Sequence, residues 1–202
     1  MTARNLEWSA AHRPLNGAAE SGDLCVVHPF PNGLLIAVLD GAGHGAEAAA
    51  AVKAAARILA LYPDESPIPL MLRCHEGLRG TRGAALSIAS FRMAEGLMTW
   101  LGVGNVEGVL LRSDPAAEPE SESLVVRPGV VGRTLPPLAA AVLPIEEGDT
   151  LIFTTDGVSH GFAESLALDA APKRNADLIL ARHGKDTDDA LVVVARCMES
   201  VS

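Results

Sequence analysis

The sequence predicts an α+β sandwich, and three observations support this fold class. The chain has 202 residues, which fits one domain at the usual size of roughly 150 residues. Hydrophobic residues make up 49% but aromatic residues only 3%, so the core must be aliphatic. Two helical segments follow the first strands, and most later strands follow one another without a helix between them. That order favours antiparallel sheets over the alternating strands and helices of a parallel sheet.

The first elements are a β-hairpin and two helices. Apolar residues 24–30 and 33–39 flank a Pro-Asn-Gly turn, which is typical of a hairpin. Residues 44–61 are rich in alanine and end before Pro63, so they predict a helix. A second helix is expected over 68–78, where a proline fits the first turn.

The later segments predict an antiparallel meander. Three short apolar runs at 83–93, 96–104 and 106–113 are separated by turns. The acidic, proline-bearing segment 114–123 is expected to form an exposed loop at a hairpin tip. The remaining predicted elements are strands at 124–126 and 150–155, a helix at 172–182 and a last strand at 190–197.

Charge and composition exclude several classes of partner. The net charge is −9, which disfavours binding to nucleic-acid phosphates or to an anionic membrane surface. No apolar run approaches the ~18 residues of a membrane span, and the N-terminus lacks the apolar core of a signal peptide. The three cysteines are odd in number and widely spaced, which suits a reducing compartment. We therefore expect a cytoplasmic protein.

The segment "LDGAGHGA" (39–46) admits two hypotheses. Residues 41–46 satisfy the relaxed dinucleotide pattern G-x-G-x-x-G/A between a strand and a helix. The required second parallel strand with an acidic residue about 20 positions on is missing, and Asp40 would repel a pyrophosphate. A P-loop is excluded because no Gly-Lys-Ser/Thr follows. The alternative hypothesis is a metal site.

Carboxylates stand at the margins of four apolar strands, which favours the metal site. If these strand ends meet, several like charges crowd together, and a cation is needed to neutralise them. Oxygen ligands favour Mg²⁺ or Mn²⁺ over zinc. One isolated Asp-Gly pair would indicate only a turn, but two such pairs end strands here. The residues are Asp23, Asp40 with Gly41, Asp156 with Gly157, and the adjacent Asp188 and Asp189.

In these motifs the chain resembles the metal-dependent protein phosphatases of type 2C, the PPM family. It is most similar to the small bacterial serine phosphatases that regulate sigma factors. The block D-G-x-G-H-G together with E-x-G-D-x-(apolar)-T-D-G makes the resemblance specific. The matching segments, in chain order, are "SGD" (21–23), "LDGAGHG" (39–45), "RGAALSIA" (82–89), "LGVGNVEGVLLR" (101–112), "VVGRTLPPL" (130–138), "IEEGDTLIFTTDGVSHGF" (145–162) and "DDALVVVAR" (188–196).

The resemblance implies an αββα sandwich of two antiparallel sheets flanked by helices, with residues 1–202 forming a single phosphatase domain. It also implies a centre of two Mn²⁺ or Mg²⁺ ions between the sheets. Asp40 would bridge the ions, the Gly41 carbonyl would bind one of them, and Asp156 with Asp188 would bind the other. Asp23 would contribute directly or through water.

Three assignments within this site stay open in the sequence. Asp188 fits the family pattern better than Asp189, because Ala190 then falls where the family has a small apolar residue, but Asp189 remains an alternative. His44 either donates a proton to the leaving alkoxide or only caps and packs at the helix start. No residue matches the phosphate-binding arginine of the eukaryotic members, and Arg13 is the candidate for that role.

The resemblance therefore implies a metal-dependent phosphoserine/phosphothreonine protein phosphatase. The stand-alone feedback phosphatase of the stressosome is the similar subgroup, and its substrates are phosphorylated STAS-domain proteins of the stressosome. The alternative function is a catalytically silent PPM-fold module that binds phosphoproteins. Manganese-dependent hydrolysis of a phosphate ester separates the two.

Overall fold

A computed structural model describes residues 4–18, 20–43, 45–166 and 170–199. In these ranges the chain forms eleven strands and three α-helices. The strands are β1 (Arg4–Arg13), β2 (Asp23–Phe30), β3 (Gly33–Gly41), β4 (Ala84–Arg92), β5 (Leu97–Val103), β6 (Glu107–Leu111), β7 (Ser121–Ser123), β8 (Val126–Arg127), β9 (Ala141–Pro144), β10 (Thr150–Thr154) and β11 (Ala190–Glu199). The helices are α1 (Ala46–Leu61), α2 (Pro67–Gly77) and α3 (Pro172–His183).

The strands form two sheets that pack face to face. One sheet has the order β1-β11-β10-β6-β7, and the other has the order β2-β3-β4-β5-β8, with β9 also paired to β5. Neighbouring strands are antiparallel except β5 and β8, which pair in parallel. Because β3 and β4 are antiparallel neighbours joined through α1 and α2, the dinucleotide-binding hypothesis is wrong.

Three apolar clusters define four layers. Leu39 on β3 packs with Val52 and Met71 of α1 and α2 on one face of the second sheet. Ile36 and Phe153 belong to the cluster between the two sheets. A third cluster joins the outer face of the first sheet to α3. The predicted αββα sandwich is therefore confirmed, and strands buried on both faces explain why β3 is a continuous apolar run rather than an alternating one.

Most predicted elements are confirmed, and the differences lie at the margins of the sheets. The hairpin of β2 and β3, the three helices and strands β4 to β6 occur as expected, although α1 begins at Ala46. Strand β1 was not predicted because its buried residues Leu6 and Ala11 lie on opposite faces and give no clear alternation. The expected loop at 114–123 is shorter, since β7 occupies its last three residues, and no single strand covers 124–126.

Strand β9 was also not predicted. It has four residues, and most of them are exposed, so its pattern is too short for a sequence to reveal. No helix in the described residues is both long enough and apolar enough to cross a bilayer.

Candidate active site

A cavity of about 450 Å³ opens where turns from both sheets meet. Asp40 comes from the end of β3, Asn105 from the turn between β5 and β6, Asp156 from the end of β10, and Asp188 from the segment before β11. Three of the carboxylates that the sequence predicts as ligands therefore line one cavity. The other lining residues are Leu15, Ala42, Gly43, Ala85, Gly104, Pro128, Gly129, Val130 and Thr187.

An asparagine that the sequence analysis did not assign joins two of these carboxylates. The Asn105 amide donates hydrogen bonds to Asp40 Oδ2 at 2.9 Å and to Asp156 Oδ2 at 2.6 Å. Asn105 therefore holds carboxylates from the two different sheets at a fixed separation. Its signal in the sequence is one polar residue in the short turn between two apolar strands, which by itself predicts only a turn.

Asp23 lies beside Asp40 but is more deeply placed. The two residues are direct partners in the register of β2 and β3, so their side chains share one face of the sheet. Asp23 is 9% exposed, and its Oδ2 accepts a hydrogen bond of 2.6 Å from the Thr155 hydroxyl. The same hydroxyl accepts a bond from the Leu191 backbone N–H at 2.9 Å. Thr155, which the sequence analysis also missed, thus ties Asp23 to the opposite sheet.

The crowding of carboxylates changes their acidity. Burial and the charge of Asp156 together raise the pKa of Asp40 to about 7, although the Asn105 hydrogen bond acts in the other direction. Burial, together with the charge of Asp40, raises the pKa of Asp23 to about 8, although the Thr155 hydrogen bond acts in the other direction. Negative charge in this cavity is therefore costly until a cation offsets it.

The adjacent aspartates Asp188 and Asp189 have different environments. Asp189 is 5% exposed, and its two oxygens accept hydrogen bonds from the backbone N–H groups of Leu15 at 2.8 Å and Gly22 at 2.7 Å. Asp188 is exposed and lines the cavity. Asp188 thus lines the same cavity as Asp40 and Asp156, whereas both carboxylate oxygens of Asp189 accept backbone hydrogen bonds that hold neighbouring segments in place.

Both Asp-Gly pairs need glycine for close packing rather than for a left-handed backbone conformation. A Cβ atom added at Gly41 would lie 2.6 Å from the carbonyl oxygen of Ala48 in α1. A Cβ atom at Gly157 would lie 1.8 Å from the carbonyl oxygen of Asp189. Glycine at these positions therefore lets each strand end approach the neighbouring backbone closely.

The donor set fits a hard divalent cation in its chemistry. Carboxylate oxygens of Asp40, Asp156 and Asp188 converge on one cavity, and oxygen ligands of this kind suit Mg²⁺ or Mn²⁺. In the described residues, however, no three His, Cys, Asp or Glu side chains are already arranged around a single ion position. The Asn105 amide lies between Asp40 and Asp156 instead. His44, the predicted proton donor, lies outside the described residues.

Comparison with known proteins agrees with this fold. The profile of the family described as "Stage II sporulation protein E (SpoIIE)" matches residues 31–200. The phosphoserine phosphatase RsbX of Bacillus subtilis (strain 168) is 27% identical over 148 residues, which are 71% of this chain and 70% of that protein.

Two solved structures superpose closely on this chain. One, described as "The bacterial stressosome: a modular system that has been adapted to control secondary messenger signaling", is 29% identical with a TM-score of 0.86 and covers 95% of this chain and 100% of its own. A crystal structure of RsbX in complex with magnesium is 21% identical with a TM-score of 0.84, and the match covers 98% of this chain and 100% of that one.

Proposed function

Because this chain belongs to the SpoIIE family, we propose that it is a metal-dependent phosphoserine/phosphothreonine protein phosphatase. The observation that supports this most strongly is the convergence of Asp40, Asp156 and Asp188 on one cavity from three separate strand ends. The similarity to a phosphoserine phosphatase points to the same chemistry. A silent binding module is not favoured, because the similarity is to a phosphoserine phosphatase and the sequence retains each aspartate that the resemblance assigns to the metal site.

Two Mn²⁺ or Mg²⁺ ions are the proposed cofactors. Asp40, the Gly41 carbonyl, Asp156 and Asp188 would hold them, with Asp23 acting directly or through water. Such ions, when bound, lower the pKa of a coordinated water from ~15.7 towards ~7 and offset the charge of phosphate oxygens.

The residues around these ligands keep them in place. Asn105 fixes the separation of Asp40 and Asp156, and Thr155 orients the Asp23 carboxylate. Asp189 holds the segment that carries Asp188. His44 remains the proposed proton donor to the leaving serine or threonine oxygen.

The proposed substrates are phosphorylated STAS-domain proteins of a stressosome. The similarity to RsbX and to a structure described with the bacterial stressosome supports this choice. We further propose that the chain acts in the cytoplasm as a single phosphatase domain over residues 1–202.

Phosphatase assays with and without divalent metal test this function. We expect the purified protein to hydrolyse p-nitrophenyl phosphate and a phosphorylated STAS-domain protein with Mn²⁺, and to lose both activities in EDTA. Asp177→Asn on α3 is a control for the loss of one acidic side chain. Asp177 forms an exposed ion pair with Lys173, so its substitution should leave turnover unchanged. Binding of the phosphoprotein without any turnover in Mn²⁺ or Mg²⁺ would instead establish the silent module.

A further inference from the structure

The acidic cavity poses a problem for a substrate that is itself an anion. The chain has a net charge of −9, and a phosphate monoester brings about two more negative charges at neutral pH. Metal ions neutralise part of this charge, but a basic side chain at the cavity would also orient the phosphoryl oxygens. The assignment of that basic side chain rests on the proposed phosphatase function.

Two basic residues near the cavity are already used to hold the backbone. The Lys185 ammonium donates a hydrogen bond to the carbonyl oxygen of Asp156 at 2.7 Å. The Arg13 guanidinium donates to the carbonyl oxygen of Lys185 at 2.7 Å and pairs with Asp186 at 3.2 Å. Arg13, the candidate from the sequence, is thus engaged with the segment that leads to Asp188.

Arg82 is not itself one of the residues that line the cavity, but its guanidinium lies beside Gly43, which does line it. A Cβ atom added at Gly43, which lines the cavity, would lie 2.7 Å from Arg82 Nη1. The neighbouring Gly83 carbonyl accepts a hydrogen bond of 3.0 Å from the Ala42 N–H, so the backbone beside Arg82 is tied to the cavity wall. A glycine at position 43 leaves room for the guanidinium at this place.

Arg82 pairs with Glu47 through a nitrogen other than the one beside Gly43. Arg82 Nε donates to Glu47 Oε2 at 2.5 Å, whereas Nη1 is the nitrogen next to Gly43. The side chains are 48% and 70% exposed, so water screens this ion pair and makes it weak. Glu47 therefore orients the arginine without blocking the edge that faces the cavity wall.

We propose that Arg82 binds the phosphoryl oxygens of the substrate at the wall formed by Ala42 and Gly43. A guanidinium presents several N–H donors in one plane, which matches two oxygens of a phosphate, and lysine cannot reproduce this geometry. Arg82 is thus a substrate-binding residue of the proposed reaction, in the role for which the sequence suggested only Arg13.

Steady-state kinetics of Arg82→Ala and Arg82→Lys with p-nitrophenyl phosphate test this assignment. We expect Arg82→Ala to raise KM, and the inhibition constant of inorganic phosphate, by about 10-fold or more, since a charge-assisted hydrogen bond is lost. Arg82→Lys should lie between Arg82→Ala and the wild type. The Mn²⁺ concentration for half-maximal activity should not change, because Arg82 is not a metal ligand.

The matched control is Arg79→Ala. Arg79 lies three residues earlier and forms an exposed ion pair with Glu76, so its removal costs a similar surface interaction away from the cavity wall. The assignment is overturned if Arg82→Ala and Arg79→Ala have the same KM for p-nitrophenyl phosphate and the same inhibition constant for phosphate. It is also overturned if Arg82→Ala changes the KM only for a phosphoprotein substrate. If Arg82→Ala fails to fold, Arg82→Lys decides by the same two constants.

Failure of this inference differs from failure of the proposed function. An inactive wild type overturns the phosphatase itself, whereas an active wild type with unchanged Arg82 variants overturns only the role of Arg82. Calorimetric titration with inorganic phosphate in Mn²⁺ gives a readout independent of turnover, and weaker binding in Arg82→Ala than in Arg79→Ala is the expected result. Equal binding in the two variants contradicts the assignment.

Discussion

Asp40 is half-buried at a strand end and faces the Asp156 carboxylate, so its negative charge is unfavourable without a cation. Asp40→Asn keeps the shape of the side chain and removes its charge. We expect turnover to fall by about 100-fold or more, because even indirect partners of a metal contribute roughly 10- to 100-fold. The metal-free variant should unfold at the same temperature as the wild type or higher. Full turnover in Asp40→Asn would remove this residue from the site.

Thr155 is the hydroxyl that connects Asp23 to the opposite sheet. Thr155→Val keeps the volume but leaves the Asp23 carboxylate and the Leu191 N–H without this partner in a buried place. We expect a loss of about 1–3 kcal/mol in the free energy of unfolding, and a Mn²⁺ affinity lower by roughly 10-fold or more. Thr155→Ser retains the hydroxyl and is the control. Equal Mn²⁺ affinity in the valine and serine variants would show that Thr155 does not position the site.

At the scale of elements, the end of β3 is fixed by its approach to α1. Gly41→Ala places a methyl group 2.6 Å from the Ala48 carbonyl oxygen, which is backbone and cannot turn aside. We expect a cost of about 1–3 kcal/mol in denaturant unfolding, with reduced turnover because Asp40 moves with the strand end. Gly45→Ala meets no atom within 4 Å and so shows the cost of backbone strain alone, since its φ of +80° and ψ of −161° lie in a region that essentially only glycine adopts. An unfolding free energy and a turnover unchanged in Gly41→Ala would contradict this packing.

The elements differ in how well the sequence predicts them. The hairpin that pairs Asp23 with Asp40 was predictable, because two apolar runs flank a turn signal. The preference for Asp188 over Asp189 came from the spacing to Ala190, whereas the hydrogen bonds that Asp189 accepts from the Leu15 and Gly22 N–H groups could not be predicted, because those residues are distant in the chain. Asn105 was missed for the same reason, since its partners Asp40 and Asp156 are distant in the chain. An asparagine in a turn gives no signal of such contacts in the sequence.

At the scale of the whole molecule, the carboxylates make stability depend on pH. Without metal, the folded pKa values of Asp23 and Asp40, about 8 and about 7, lie above their ordinary value of 3.8. The folded state therefore binds more protons between these limits, so these groups lower stability as pH rises from about 4 to about 8. We expect the unfolding temperature in EDTA to fall over this range, and to fall less in Asp40→Asn. Added Mn²⁺ should restore stability at pH 8. Identical pH profiles for both proteins would exclude this coupling.

We propose that the described carboxylates bind divalent cations in the cavity between the two sheets. Crystals grown with Mn²⁺, and diffraction data collected at the manganese absorption edge, locate the ions directly. We expect anomalous density in the cavity, in contact with oxygens of Asp40, Asp156 and Asp188, and none there in Asp40→Asn crystals. A cavity free of anomalous density in the wild type at saturating Mn²⁺, in crystals of active protein, would contradict the claim.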